Sequence, residues 1–158
     1  MQNIKFTIER ITRKNYHMFE DMVNWRMRGM ESTKEEKNAN KKNDFTESFK
    51  ELEHPAFYVY GALCDGRFVG WITMIYTPKI GRARWKKGVI YIEELWITPE
   101  FRGKGIAKQL VKKVFECQKE TGAVEVRLYT GEDNIIAQEL YKKYGMQIMS
   151  KAVFMKSE

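Results

Sequence analysis

VIYIEELWITPEFRGKGIA, residues Val89 to Ala107, decides how this chain is read. It starts as a run of apolar and β-branched residues, the composition of a strand. A short glycine turn follows, and then an amphipathic pattern begins. Strand, glycine turn and helix in succession present backbone N–H groups at a helix start, where the helix dipole favours an anion. Two glutamates, Glu93 and Glu94, interrupt the apolar run just before the turn. A phosphate cradle and a pair of carboxylates therefore lie about a dozen residues apart.

The bulk numbers narrow what this site can serve. The chain has 158 residues, and 1–158 reads as a single domain with a real core. Apolar residues at 43% and aromatics at 13% exclude a disordered chain. No apolar run reaches the roughly 18 residues of a membrane span, and MQNIKFTIER has no apolar leader region. The expectation is a cytoplasmic protein with no membrane partner. Cys64 and Cys117 show no CxxC spacing, and His17 and His54 lie in no HExxH pattern, so no metal is expected. Cys117 falls on the apolar face of a helical pattern and reads as core. The net charge of +7 favours an anionic partner, either nucleic acid or a polyphosphate cofactor; charge alone does not separate them.

Residues 4–11 alternate apolar and polar and read as a first strand. Asn15 stands where a helix cap belongs, Tyr16, Phe19, Met22, Val23 and Met27 follow at helical spacing, and Gly29 ends the pattern. Residues 31–51 are polar: 31–43 read as a mobile loop or a solvated helix, and Asp44 as the cap of a short helix carrying Phe45, Phe49 and Leu52. AFYVYGALC and RFVGWITMIY flank Asp65-Gly66, a two-residue hairpin signal. KIGRARWKK, 79–87, is either a solvated hairpin tip or a basic loop meeting an anionic ligand. Beyond the glycine turn, Ile106, Leu110, Val114 and Cys117 form an apolar stripe with lysines opposite, and Thr121-Gly122 stops the helix. AVEVRLYT, 123–130, is the next strand, the segment around 134–144 a last helix, and MQIMSKAVFMK one or two final strands. Strand–helix–strand from 89 to 130 predicts a parallel crossover, and the rest a meander, so the sheet is mixed with helices on both faces.

By itself Arg102-Gly103-Lys104-Gly105-Ile106-Ala107 is explained equally by a tight strand-to-helix turn. It lacks the third small position of a dinucleotide fingerprint and the GK[ST] of a phosphate-binding loop. The six residues do fit R-x-x-G-x-A, and NIIAQELYKKYGM fits N-x-x-A-x-x-x-Y-x-x-x-G, with Asn134, Ala137, Tyr141 and Gly145 in place. These two motifs in this order resemble the GNAT acetyltransferase superfamily, with Met146 where phenylalanine is usual. The resemblance covers roughly 57–155 well and 12–55 only in outline.

The resemblance implies an α/β fold: a central mixed, mostly antiparallel sheet of six to seven strands, splayed in a V between the fourth and fifth, with about four helices on both faces. It implies acetyl-CoA as co-substrate, its pyrophosphate on the amides of Arg102, Gly103, Lys104, Gly105, Ile106 and Ala107. The pantetheine arm would pair with the backbone along Leu95, Trp96 and Ile97, with an N–H, that of Ile97, polarising the acetyl carbonyl. Asn134 would bind the pantetheine amide, and Tyr141, two helical turns further on, would protonate the leaving thiolate. A homodimer follows by the same analogy.

The acids are assigned by chemistry. An alkylamine of pKa near ~10.4 is protonated at neutral pH, so a base must take a proton before the amine attacks a thioester. Glu93 is the expected base and Glu94 its secondary, as the sequence resembles the polyamine-acetylating branch here. Adjacent strand residues face opposite ways, so at most one enters the cleft unless a bulge re-aims them. Neither cysteine has a basic partner in a recognisable motif, which argues against a covalent acyl-enzyme. The expected activity is direct acetyl transfer to a small cationic primary amine. Acetylation of protein N-termini or lysines, and a non-catalytic acyl-CoA- or nucleic-acid-binding module, are the alternatives. Nucleic acid is the less expected partner, since no basic-aromatic interleaving is evident.

Overall fold

Alternating side chains and the hairpin signal build most of the sheet. The computed structural model describes residues 4–79, 88–153 and 155–157. Strand β1 (Thr7–Arg10) pairs antiparallel with β2 (Phe57–Cys64), which turns into β3 (Arg67–Thr77). Asp65 and Gly66 have φ of 49° and 74°, the left-handed pair that a tight two-residue hairpin requires. Strand β4 (Val89–Ile97) adds antiparallel to β3, and β5 (Glu125–Leu128) adds parallel to β4, giving the order β1-β2-β3-β4-β5. Helices α1 (Tyr16–Arg28), α2 (Lys34–Asn40) and α3 (Thr46–Leu52) lie between β1 and β2 in sequence. Helix α4 (Ile106–Thr121) connects β4 to β5, and α5 (Ile135–Lys142) follows β5.

Two cores separate the layers. Ile106, Leu110, Val111, Val114 and Cys117 of α4 bury against Ala62, Ile72, Met74, Ile90 and Ile92 of the sheet, with Tyr141 of α5 joining them. On the other face Tyr16, Phe19 and Met22 of α1 and Phe49 of α3 meet Val59, Phe68 and Trp71. Helix α5 docks on α4 through Tyr144, whose ring stacks on Phe115 at 5.4 Å and 7° and whose hydroxyl donates to the Lys108 carbonyl.

Residues 34–40 form a solvated helix, α2, with no buried side chain, so its order comes from its ends. Thr33 Oγ1 accepts from the Glu36 N–H at 3.2 Å while the Glu36 carboxylate accepts from the Thr33 N–H at 2.7 Å, a reciprocal capping box. Glu31 adds a bridge, pairing with both Lys37 and Arg67. Phe45, not the expected Asp44, is the N-cap of α3; Asp44 stands one residue earlier, where its Oδ1 accepts from the Thr46 N–H at 2.9 Å and closes the turn into the helix. Asn15 occupies the N-cap of α1 but does not cap it. Its Oδ1 accepts from the Thr12 N–H at 2.7 Å and its Nδ2 donates to the Arg10 carbonyl at 3.0 Å, so it closes the loop before the helix instead.

The sheet has five strands among the described residues where six to seven were expected, and there are five α-helices rather than about four. Residues 146–153 take no regular structure and leave Ile148, Met149 and Val153 exposed. Strand propensity is largely packing against a partner, and β5, only four residues long, offers a short edge. Of the basic segment 79–87, all but Lys79 lies outside the described residues. Ile90 is fully buried on β4 between β3 and β5. Ile90→Ala is expected to lower stability by about 2–5 kcal/mol, read as a fall in the urea midpoint at unchanged slope.

Candidate active site

The register between β3 and β4 slips at the two glutamates. Ile72 faces Leu95 and Thr73 faces Glu94, but Met74 faces Ile92, so Glu93 has no partner and forms a bulge. Ile92 and Leu95 both pack toward the α4 core although they stand three apart, a spacing that in an unbroken strand puts side chains on opposite faces. Both intervening glutamates stay out of that core. Glu93 is exposed. Glu94 lies on the α1 side and forms an ion pair with Arg26. The Arg26 guanidinium also stands 5.5 Å above the Trp71 ring. The bulge thus carries the pair past the one-in, one-out rule, the exception that the strand geometry allows.

Where the glutamates stand, the sheet opens. Pairing of β4 with β5 ends at Ile92 and Leu128, whereas pairing with β3 continues to Ile97. From Glu93 to Ile97 the backbone groups that point away from β3 have no strand beside them, which is the V between the fourth and fifth strands. Leu95 packs against the α4 core, Trp96 lies 4.9 Å from Trp71, and Ile97 is buried. The Arg102 Nε donates to the Ile97 carbonyl at 3.1 Å, tying the turn back to the end of the strand.

The turn has the features of an anion cradle. A 3-10 turn at Pro99–Phe101 leads into it, and Gly103 and Gly105 have φ of 73° and 81°. That region is left-handed, and a side chain there costs about 1–2 kcal/mol, so the glycines serve the backbone path. Gly105 is the N-cap of α4, so no side chain caps the first amides, and no acid stands in the first helical turn. Arg102, Gly103, Lys104 and Gly105 are exposed, while Ile106 is buried and Ala107 packs beside it in the core. Lys104 Nζ lies 4.9 Å over the Phe101 ring. An anchored helix start with unclaimed amides and two flanking cations suits a pyrophosphate.

Tyr141 is buried in the α4-side core, and burial alone pushes its phenol up to about 12. Asn134 caps α5: its Oδ1 accepts from the Ala137 N–H at 3.2 Å, which leaves the amide nitrogen for another partner. Three residues on the α1 side escaped the sequence reading: Arg26, Trp71 and Thr73. Thr73 Oγ1, across from Glu94, is buried with no hydrogen-bond partner among the described residues. For Arg26 a signal existed. It stands seven residues after Phe19, two turns along the same stripe, where a buried face calls for an apolar residue. Trp71 and Thr73 looked like ordinary strand residues.

A sequence model described as the Acetyltransferase (GNAT) family matches residues 19–146. This chain belongs to that family. A thialysine N-epsilon-acetyltransferase of Bos taurus is 38% identical over 68 residues, which are 43% of this chain and 40% of that protein. The chain thus matches well under half of that relative's length. An aminoglycoside N(6')-acetyltransferase type 1 of Salmonella typhimurium is 24% identical over 108 residues, 68% of this chain and 73% of that protein. Among solved structures, AAC(6')-Iy in complex with the bisubstrate analog CoA-S-monomethyl-acetylneamine has the same fold. Its TM-score is 0.72 at 18% identity, over 98% of this chain and 99% of that one. Among the described residues no helix is long and apolar enough to cross a membrane, and no cluster of His, Cys, Asp and Glu is arranged to hold a metal.

The raised phenol of Tyr141 has a measurable consequence. Between pH 10 and about 12 the unfolded chain loses this proton while the folded chain keeps it, so stability falls as pH rises through that window. Tyr141→Phe is expected to remove about 2–3 kcal/mol of that decline, measured by urea unfolding at pH 9 and pH 12.

Proposed function

We propose that the protein transfers an acetyl group from acetyl-CoA to a primary amine by direct attack, in a ternary complex. The observation that carries this reading is the bulge at Glu93–Glu94, which sets two carboxylates at the mouth of the opening between β4 and β5. The uncapped start of α4, with Arg102 and Lys104 beside it, supports a pyrophosphate-bearing co-substrate. The likeness to a structure holding a CoA-containing analog points to coenzyme A. Relatives named for thialysine and aminoglycosides support an amine acceptor.

Acetyl-CoA, when bound, supplies the activated acetyl group. Glu93, exposed and in no ion pair among the described residues, takes the proton from the incoming ammonium, directly or through water. Backbone N–H groups on the open edge between Glu93 and Ile97 hold the developing oxyanion. Tyr141 returns a proton to the leaving sulfur. Its burial keeps the phenol protonated throughout the physiological range, and low polarity raises the basicity of a nearby thiolate as well. Asn134 and the amides from Arg102 to Ala107 hold the co-substrate, and Glu94 shapes the acceptor side.

Thiol release from acetyl-CoA over a panel of primary amines tests this. Tyr141→Phe and Glu93→Gln are each expected to lower kcat by about 10²–10⁴ with little change in KM for acetyl-CoA. A panel that gives no thiol release, or variants as fast as the parent, would refute the assignment.

A further inference from the structure

The ion pair beside the bulge narrows the acceptor. Arg26 stands in the last turn of α1, one turn before Gly29 ends the helix, and its guanidinium is paired with Glu94 while it rests over Trp71. The pair is open to ligand: the side chains are 42% and 31% exposed. Trp71 is held beneath it by Trp96 at 4.9 Å and by Phe19, edge to face, at 5.7 Å, so the guanidinium lies over a packed floor. Among the described residues the site therefore holds Glu94 paired with Arg26 over Trp71, with the exposed Glu93 next to Glu94 at the bulge.

An acceptor that is only a cation fits this arrangement badly. Its ammonium, to reach Glu94, must come up against the guanidinium paired there and turn it out without a new partner. Like charges at such range repel, and a displaced, partly desolvated guanidinium goes unpaired. An acceptor with a carboxylate as well as an amine resolves both problems. The guanidinium fork takes the carboxylate in two parallel hydrogen bonds, and Glu94 is released to the ammonium. The buried Thr73 hydroxyl, opposite Glu94 and without a partner, is a further polar contact on that side.

Resting on the acetyl-transfer reading above, we infer that the acceptor is an amine that also carries a carboxylate, and that Arg26 is the specificity residue that binds it. In this arrangement the Arg26–Glu94 pair is a placeholder for the substrate's two charges. Purely cationic polyamines are disfavoured by the same guanidinium.

The test uses L-2,3-diaminopropionate, L-ornithine and L-lysine, each against its own carboxamide, which keeps the amines and removes the anion. With the parent protein, at least one carboxylate form should exceed its amide at least tenfold in kcat/KM, mostly through KM. Arg26→Gln should abolish that preference by raising KM for the carboxylate form with kcat largely kept, and Arg26→Lys should restore part of it. Tryptophan emission gives a second readout: the preferred carboxylate form should shift it in the parent and not in Trp71→Phe. Equal use of amide and carboxylate at every chain length, or a preference that survives Arg26→Gln, overturns the inference and leaves the acetyl-transfer reading standing. An emission shift specific to the carboxylate form without thiol release supports carboxylate recognition and refutes acetyl transfer. Neither shift nor thiol release refutes both.

Discussion

Between Ile92 and Glu94, β4 carries a residue for which β3 has no partner, and the effect reaches both ends of the strand. Before the bulge, β4 is an ordinary interior strand, hydrogen-bonded to β3 on one side and to β5 on the other. After it, the strand keeps only β3. A bulge bends its strand and increases local twist, and here the parallel neighbour ends where the bend begins. The opening that results is lined on one edge by backbone and at its mouth by two carboxylates. With Glu93 paired regularly instead of bulged, Glu94 would take the core-facing parity now held by Leu95, and an unpaired carboxylate in that core would be strongly unfavourable.

The rest of the fold holds this opening at fixed shape. Helix α4 starts at a glycine rather than a capping side chain, so its first amides are unclaimed, and Ile106 and Ala107 lock that start into the core. Arg102 ties the same turn to the Ile97 carbonyl. Tyr144 fixes α5 to α4 by a ring stack and a hydrogen bond, which sets Tyr141 in the core between the layers. Of the two tyrosines three residues apart, one is an anchor and the other is left without a hydrogen-bond partner among the described residues. On the opposite face, α1 supplies the aromatic packing on Trp71 and, one turn before its end, the guanidinium that meets Glu94.

Much of this was legible in the chain because it depends on local rules. The Asp65-Gly66 hairpin, the glycine ends of α1 and α4 and the apolar stripe of α4 each follow from a few neighbouring residues. The segment 31–43 left two readings open, because a helix with no buried face gives no periodic signal; its capping box settles it as a helix. The expected final strands failed for the converse reason. Residues 146–153 have strand-like composition, but a strand exists only with a partner edge.

The sequence alone determined the family motifs, the order of elements from β2 to α5, and the residue types of the candidate site, because turns, caps and amphipathic periods are encoded within a few positions. Only the tertiary structure decided that Glu93 is unpaired and exposed, that Glu94 lies on the α1 side, and that Arg26 meets it there over Trp71. Side-chain direction on a strand depends on its register with another strand. A single unpaired residue reverses it, and whether a residue is unpaired is settled by long-range pairing that no local window contains.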